Sequence, residues 1–171
     1  MDFKHETVDH TKPLDELIQG CKRCPLFSNM IVGPIAPEWR GDPRGQIMMI
    51  TSQNFSSEND IMQEVVSGVN RTILFNIIEQ YSKNWYITNF VKCRPNESGA
   101  YRAGETRCCI NWLEIEKNRL EPSIVVGFGA GLKKFVECDH YLPSINNLVG
   151  SQKNRQLLID ILKEHYVDSV S

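Results

Sequence analysis

Cysteine is the residue type that this sequence spaces for chemistry. Cys21-Lys-Arg-Cys24 is a C-x2-C pair, and Cys93 opens a second set completed by Cys108 or Cys109. A C-x2-C turn lets two sulfurs approach one metal centre, while the distant pair ties the N-terminal segment to the rest of the chain. Structural zinc and iron–sulfur clusters both take four thiolates, so spacing alone leaves zinc and iron open. Six cysteines are many for 171 residues, and in a reducing compartment clustered cysteines point to metal before disulfides. Cys138 stands apart and reads as an unrelated buried thiol.

Such a centre needs elements that bring residue 21 to residue 109. Leu14, Leu17 and Ile18 predict a short helix over 14–20, stopped by Gly20, after a loose arm over 1–13. Four prolines and three glycines between 25 and 45 predict an irregular loop there. Strands are expected at 46–50, 85–89 and 123–127, with a weak fourth near 139–142. Between the first two strands, the polar stretch 51–60 reads as a turn, and Val69, Ile73, Leu74, Ile77 and Ile78 mark a helix to about Tyr81. Further helices are expected over 105–120 and 152–165, with a short one after the Gly-rich turn 127–131. Alternating strands and helices imply an α/β fold: one three-layer αβα domain over 1–171 around a four-stranded parallel sheet. Sites in such sheets lie at the carboxyl ends of the strands. That brings 51–60, 89–95 and 127–131 together.

Several phrases resemble the family 4 uracil-DNA glycosylases: Cys21-x2-Cys24-Pro-Leu, Trp85-Tyr-Ile-Thr-Asn89-Phe-Val-Lys-Cys-Arg-Pro95, and Cys109 sixteen positions after Cys93. Glu105, four residues before Cys109, matches the family's E-x3-C, and the likeness covers roughly 15–162. The resemblance implies a uracil-DNA glycosylase-like fold and a [4Fe-4S] cluster on Cys21, Cys24, Cys93 and Cys109, with zinc the second choice. Cys108 falls one residue short of the family spacing. It also implies DNA as the partner and a base flipped out of the stack. Asn89 then matches the base-reading Asn, whose amide offers both a donor and an acceptor. Lys22, Arg23, Lys92 and Arg94 adjoin the four cysteines and are expected to meet phosphates.

The motif after the first strand departs from the family's G-E-x-P-G. Here it reads Thr51-Ser-Gln-Asn-Phe-Ser-Ser-Glu-Asn-Asp60, with Ser52 at the Glu position. Asn54 is expected to orient water, as an Asn does in the G-x-N-P-G of other branches, with Glu58 or Asp60 assisting. Ser52, Gln53 and Phe55 are expected beside the base. Val65-Val66-Ser67 stands where the family has F-V-G, and Leu142-Pro143-Ser144 where it has H-P-S. The aromatic wall and the His are thus replaced; His140 lies two residues before Leu142.

These departures predict a roomier pocket and a substrate other than plain uracil. The expected enzyme is a DNA glycosylase removing a damaged or modified pyrimidine, such as a bulky modified cytosine of phage DNA, in antiphage defence or repair. The alternative is a catalytically silent iron–sulfur module that binds DNA or a replication partner. Composition fits either: the net charge of −2 neither supports nor excludes DNA. No apolar run approaches the length of a membrane span. The N-terminus lacks a signal-peptide pattern, so a cytoplasmic monomer is expected, with no small-molecule cofactor beyond the cluster.

Overall fold

The computed structural model describes residues 12–52, 54–96, 99 and 101–167. Most of the expected arm over 1–13 therefore lies outside the described residues, as does Gln53. Three strands form the centre of the sheet: β2 (Ile47–Thr51), β3 (Trp85–Asn89) and β4 (Ile124–Phe128). Every residue in them is buried, as near-continuous apolar runs require of parallel strands covered on both faces. β3 and β4 each pair in parallel with β2. β5 (His140–Leu142) adds in parallel to β4.

A fifth strand, β1 (Glu38–Arg40), is added at the edge of the expected four-stranded parallel sheet. It pairs antiparallel with β3, giving the order β1-β3-β2-β4-β5. Three residues with exposed Trp39 and Arg40 carry no alternation that marks a strand, and flanking Pro37 and Gly41 mask it as loop.

The helices are α1 (Leu14–Gln19), α2 (Ser57–Met62), α3 (Gly68–Ile78), α4 (Ala103–Leu120), α5 (Ile145–Gly150) and α6 (Gln152–Val167). Side chains alternate across a strand, and β2 divides accordingly. Ile47 and Met49 join Leu74 and Ile78 of α3, Leu148 of α5 and Leu158 of α6. Met48 and Ile50 face Leu113 of α4 and Leu26. Fully burying an Ile or Met of this kind contributes roughly 1.5–3 kcal/mol, so β2 is the main anchor of both layers.

The polar stretch 51–60 is not one turn, because it contains α2. Ser56 caps that helix: its hydroxyl accepts from Asn59 N at 3.3 Å, and Asn59 Oδ1 accepts from Ser56 N at 3.0 Å. This reciprocal pair satisfies N–H groups that a helix start leaves without partners. α5 was likewise not foreseen, since Pro143-Ser-Ile-Asn-Asn147 reads as loop until Ile145, Leu148 and Val149 find the core.

The chain leaves β2 toward the layer of α3 and leaves β4 toward the layer of α4, where Leu132 and Val136 pack. The carboxyl ends of β2 and β4 are therefore a topological switch point, where open α/β sheets form a crevice. Among the described residues, no helix is long and apolar enough to cross a membrane.

Candidate functional site

That crevice is a cleft of about 490 Å³. Ser52, Asn54 and Asn59 reach it from the chain after β2, Val66, Ser67 and Asn70 from the start of α3, and Ser144 and Asn146 from the start of α5. Every one of these lining residues except Val66 carries a hydroxyl or an amide, and none is a carboxylate, imidazole or thiol. Asn70 Nδ2 donates to Asn146 Oδ1 at 2.6 Å, joining α3 to α5 along the lining. Sequence reasoning missed this pair, since a lone Asn in a first helical turn signals only a cap.

Ser52 is fixed against β4. Its N–H and its hydroxyl both donate to Phe128 O, at 3.2 and 3.1 Å. Gly129 makes this approach possible: a Cβ there would lie 2.1 Å from Ser52 Oγ, and its φ of +112° favours glycine. Asn54 is exposed, with Nδ2 donating to Gly99 O at 2.7 Å. Asn89 closes β3 in a buried position, accepting from Thr51 Oγ1 and donating from Nδ2 to Val91 O at 2.8 Å.

Three other expected site residues lie away from the cleft. Phe55 is buried in the core on the α3 side of the sheet, held there by apolar packing rather than set beside a base. Glu58 is exposed on the first turn of α2 and does not line the cleft. Asp60 is wholly buried: it accepts from Ile31 N at 2.6 Å and Val32 N at 3.0 Å. Arg94 Nε lies 3.1 Å from Asp60 Oδ2, an ion pair off the line of a hydrogen bond. A carboxylate with both oxygens so engaged anchors the 31–32 loop and is not available as a catalytic base.

The cysteines meet on the α4 side of the sheet. Cys93 and Cys109 pack together with Leu113, with Cys24 against them. Cys21 lies within electrostatic reach of Cys24, Cys93, Cys108 and Cys109. Trp112 Nε1 donates to Cys21 Sγ at 3.3 Å. Glu105, buried at the start of α4, accepts from Arg102 N at 2.7 Å and so fixes the turn that presents Cys108 and Cys109. Burial pushes the Cys109 thiol up to about 12 and the Cys93 thiol up as well, with neighbouring thiols adding to the rise. Among the described residues, no three such groups stand at the spacing of ligands around one ion. The residue types, though not their present spacing, are those of a thiolate-bound centre. Such thiols give up their protons when a metal binds, and an N–H···S bond of the kind Trp112 makes to Cys21 tunes such sulfurs.

Two basic residues expected on DNA are held inside. Lys92 is 1% exposed, and its ammonium meets Glu116 Oε1 and Oε2 at 3.0 and 2.8 Å. Tyr86 OH and Thr88 Oγ1 donate to the same carboxylate, at 2.9 and 2.8 Å. This corrects Lys92 from a phosphate contact to the cation of a buried pair. Lys92 lies three residues past the end of β3, where the chain bends beneath α4 and its ammonium meets Glu116 of that helix. Arg94 is likewise committed, to Asp60 and Asn29 O. Lys22 is exposed, with Nζ 5.3 Å from the Phe27 ring centroid, and Arg23 stacks over Trp112 at 4.6 Å.

Comparison with known proteins adds two findings. The family model described as the uracil DNA glycosylase superfamily matches residues 35–164, a span that begins after Cys21 and Cys24. A type-4 uracil-DNA glycosylase of Sulfurisphaera tokodaii is 23% identical over 135 residues, covering 75% of this chain. The chain spans 59% of the length of that relative.

Proposed function

The chain belongs to the uracil DNA glycosylase superfamily, and from that premise we propose that it is a DNA N-glycosylase that excises a modified or damaged pyrimidine other than plain uracil. The observation that carries this reading is the cleft at the switch point, rich in hydroxyls and amides and without a titratable group among its described lining residues. Bases flipped from DNA are held by hydrogen bonds to their polar edges, and such a lining supplies them. Val65-Val66-Ser67 stands where the family has F-V-G, so a valine replaces the aromatic residue, and the smaller side chain supports room for a substituent. A bulky modified cytosine of phage DNA fits that room, and antiphage defence is the role such an activity would serve.

The reaction breaks the bond between sugar C1′ and the base nitrogen. Its electron pair leaves with the base, the sugar gains cation character, and water adds at C1′ and loses a proton. Asn54 supports the water: its Nδ2 is used by Gly99 O, and its Oδ1 is the acceptor that orients the incoming molecule. Ser67 and Asn70 bring the N-terminus of α3 to the cleft. The unpaired N–H groups of a helix start favour negative charge, so α3 supports the departing base where the family's His is missing. Asn89, expected at the base, is buried outside the cleft lining with its amide committed to Thr51 and Val91. Base contacts therefore fall to the lining residues themselves, and Lys22 and Arg23 meet phosphates. Cys21, Cys24, Cys93 and Cys109 would hold a [4Fe-4S] cluster, which when bound would tie the N-terminal segment to α4 and to the segment that follows β3.

A second reading is favoured by the same lining, because it lacks an acid or base: a catalytically silent DNA-binding module. Abasic-site formation on phage DNA with and without modified cytosine separates the two. The enzyme reading expects abasic sites on the modified DNA and a loss of about 10²-fold or more in Asn54→Ala, with salt-dependent DNA binding intact. No abasic sites on any substrate, with binding unchanged, would favour the module.

A further inference from the structure

Two charged residues stand behind one wall of the cleft without lining it. Val66 and Ser67 form that wall. They lie in the connection between α2 and α3, where neither a helix nor a strand ladder holds the backbone. Glu38, at the start of β1, accepts from Val65 N through Oε1 at 2.6 Å. Its Oε2 accepts from Arg71 Nη1 on α3, and the same Nη1 donates to Val66 O at 3.3 Å. Arg71 Nε lies 3.6 Å from Glu64 Oε1. The guanidinium sits over the Phe75 ring, 4.8 Å from its centroid, and Phe75 stacks on Trp85 of β3 at 4.4 Å. One ion pair thus takes up an N–H and a C=O from consecutive wall residues and rests on an aromatic stack that continues into the sheet. Neither Glu38 nor Arg71 lines the cleft, so these bonds draw residues 65–66 away from it.

Resting on the glycosylase reading above, we propose that Glu38 and Arg71 are positioning residues that set which base the cleft accepts. Their ion pair holds the Val66 wall back, and the room so kept admits a substituted pyrimidine. Neither residue touches the base. They act through Val66, through Ser67 and through the first turn of α3, from which Asn70 enters the cleft. Releasing the pair lets the wall relax inward, which excludes a large substituent before a small one. Such a displacement changes selectivity as well as rate. A second ion pair, Arg40 with Glu79, joins the same strand to the far end of α3 and supplies the control.

The test measures kcat/KM for base excision from duplexes carrying one hydroxymethylcytosine or one glucosylated hydroxymethylcytosine. The proteins are wild type, Glu38→Ala, Glu38→Gln, Arg71→Met and Arg40→Ala. The readout is the ratio of the larger base to the smaller, which a variant that merely loses folded protein leaves unchanged. That ratio is expected to fall about tenfold or more in Glu38→Ala and Arg71→Met. It should fall less in Glu38→Gln, whose Oε1 can still accept from Val65 N, and hold in Arg40→Ala. A wild-type ratio in both Glu38→Ala and Arg71→Met would overturn the proposal, as would an equal fall in Arg40→Ala. Dissociation constants for the same duplexes, compared as the same ratio, read the wall without any chemistry. Wild type that excises neither base defeats the glycosylase reading alone, because the binding ratio still decides the role of the pair. Wild type that excises both bases equally well overturns the positioning role and leaves the glycosylase standing.

Discussion

Lys92 and Asp60 lie a few residues from groups that matter for chemistry, and both are consumed by structure. The Lys92 ammonium sits between Thr88 and Glu116 with almost no solvent. Breaking a buried pair from one side costs about 3–5 kcal/mol, because a charge is left without compensation. Lys92→Met is therefore expected to lower unfolding free energy by about that amount in denaturant titration. Lys92→Met/Glu116→Leu should recover much of the loss, since an apolar pair of similar volume removes the stranded carboxylate. A single variant as stable as wild type would mean the pair is not buried as described.

At the scale of elements, β2, β3, β4 and α4 were legible because their apolar periodicity is set by burial on both faces or on one stripe. α2 was not: Ser57–Met62 is a six-residue helix that owes its start to the Ser56–Asn59 cap rather than to a hydrophobic face. Ser56→Ala removes that cap and is expected to cost about 1 kcal/mol, read as a shift in thermal or denaturant midpoint. Because Asn59 lines the cleft, the same substitution should also slow base excision. The cysteines could be read as a candidate metal set from spacing; Cys24, Cys93 and Cys109 fall on the α4 side of the sheet, and among the described residues no three such groups stand at ligand spacing. The partners of the basic residues beside them could not be read, because Glu116 is 24 positions from Lys92 and Asp60 is 34 from Arg94. The Asn70–Asn146 bridge escaped for the same reason: it joins two helices through residues with no periodic signature.

At the scale of the molecule, the lining of the cleft sets how the reaction should answer to pH. Histidine is the side chain that ordinarily changes charge between pH 5 and 8, and none lines the cleft among the described residues. The chemical step, measured as single-turnover base excision, is expected to be flat from about pH 6 to 8. A break in that interval would bring an imidazole such as His140 into the reaction.

The sheet ends on both flanks in strands of only three residues, β1 and β5. A foreign strand arriving at either margin finds too few free backbone groups to continue the ladder, so recruitment of further chains into a growing fibril has little to template on. The long apolar strands that aggregate most readily are thus kept inward, and the protein can carry an exposed cleft without also carrying a sticky border.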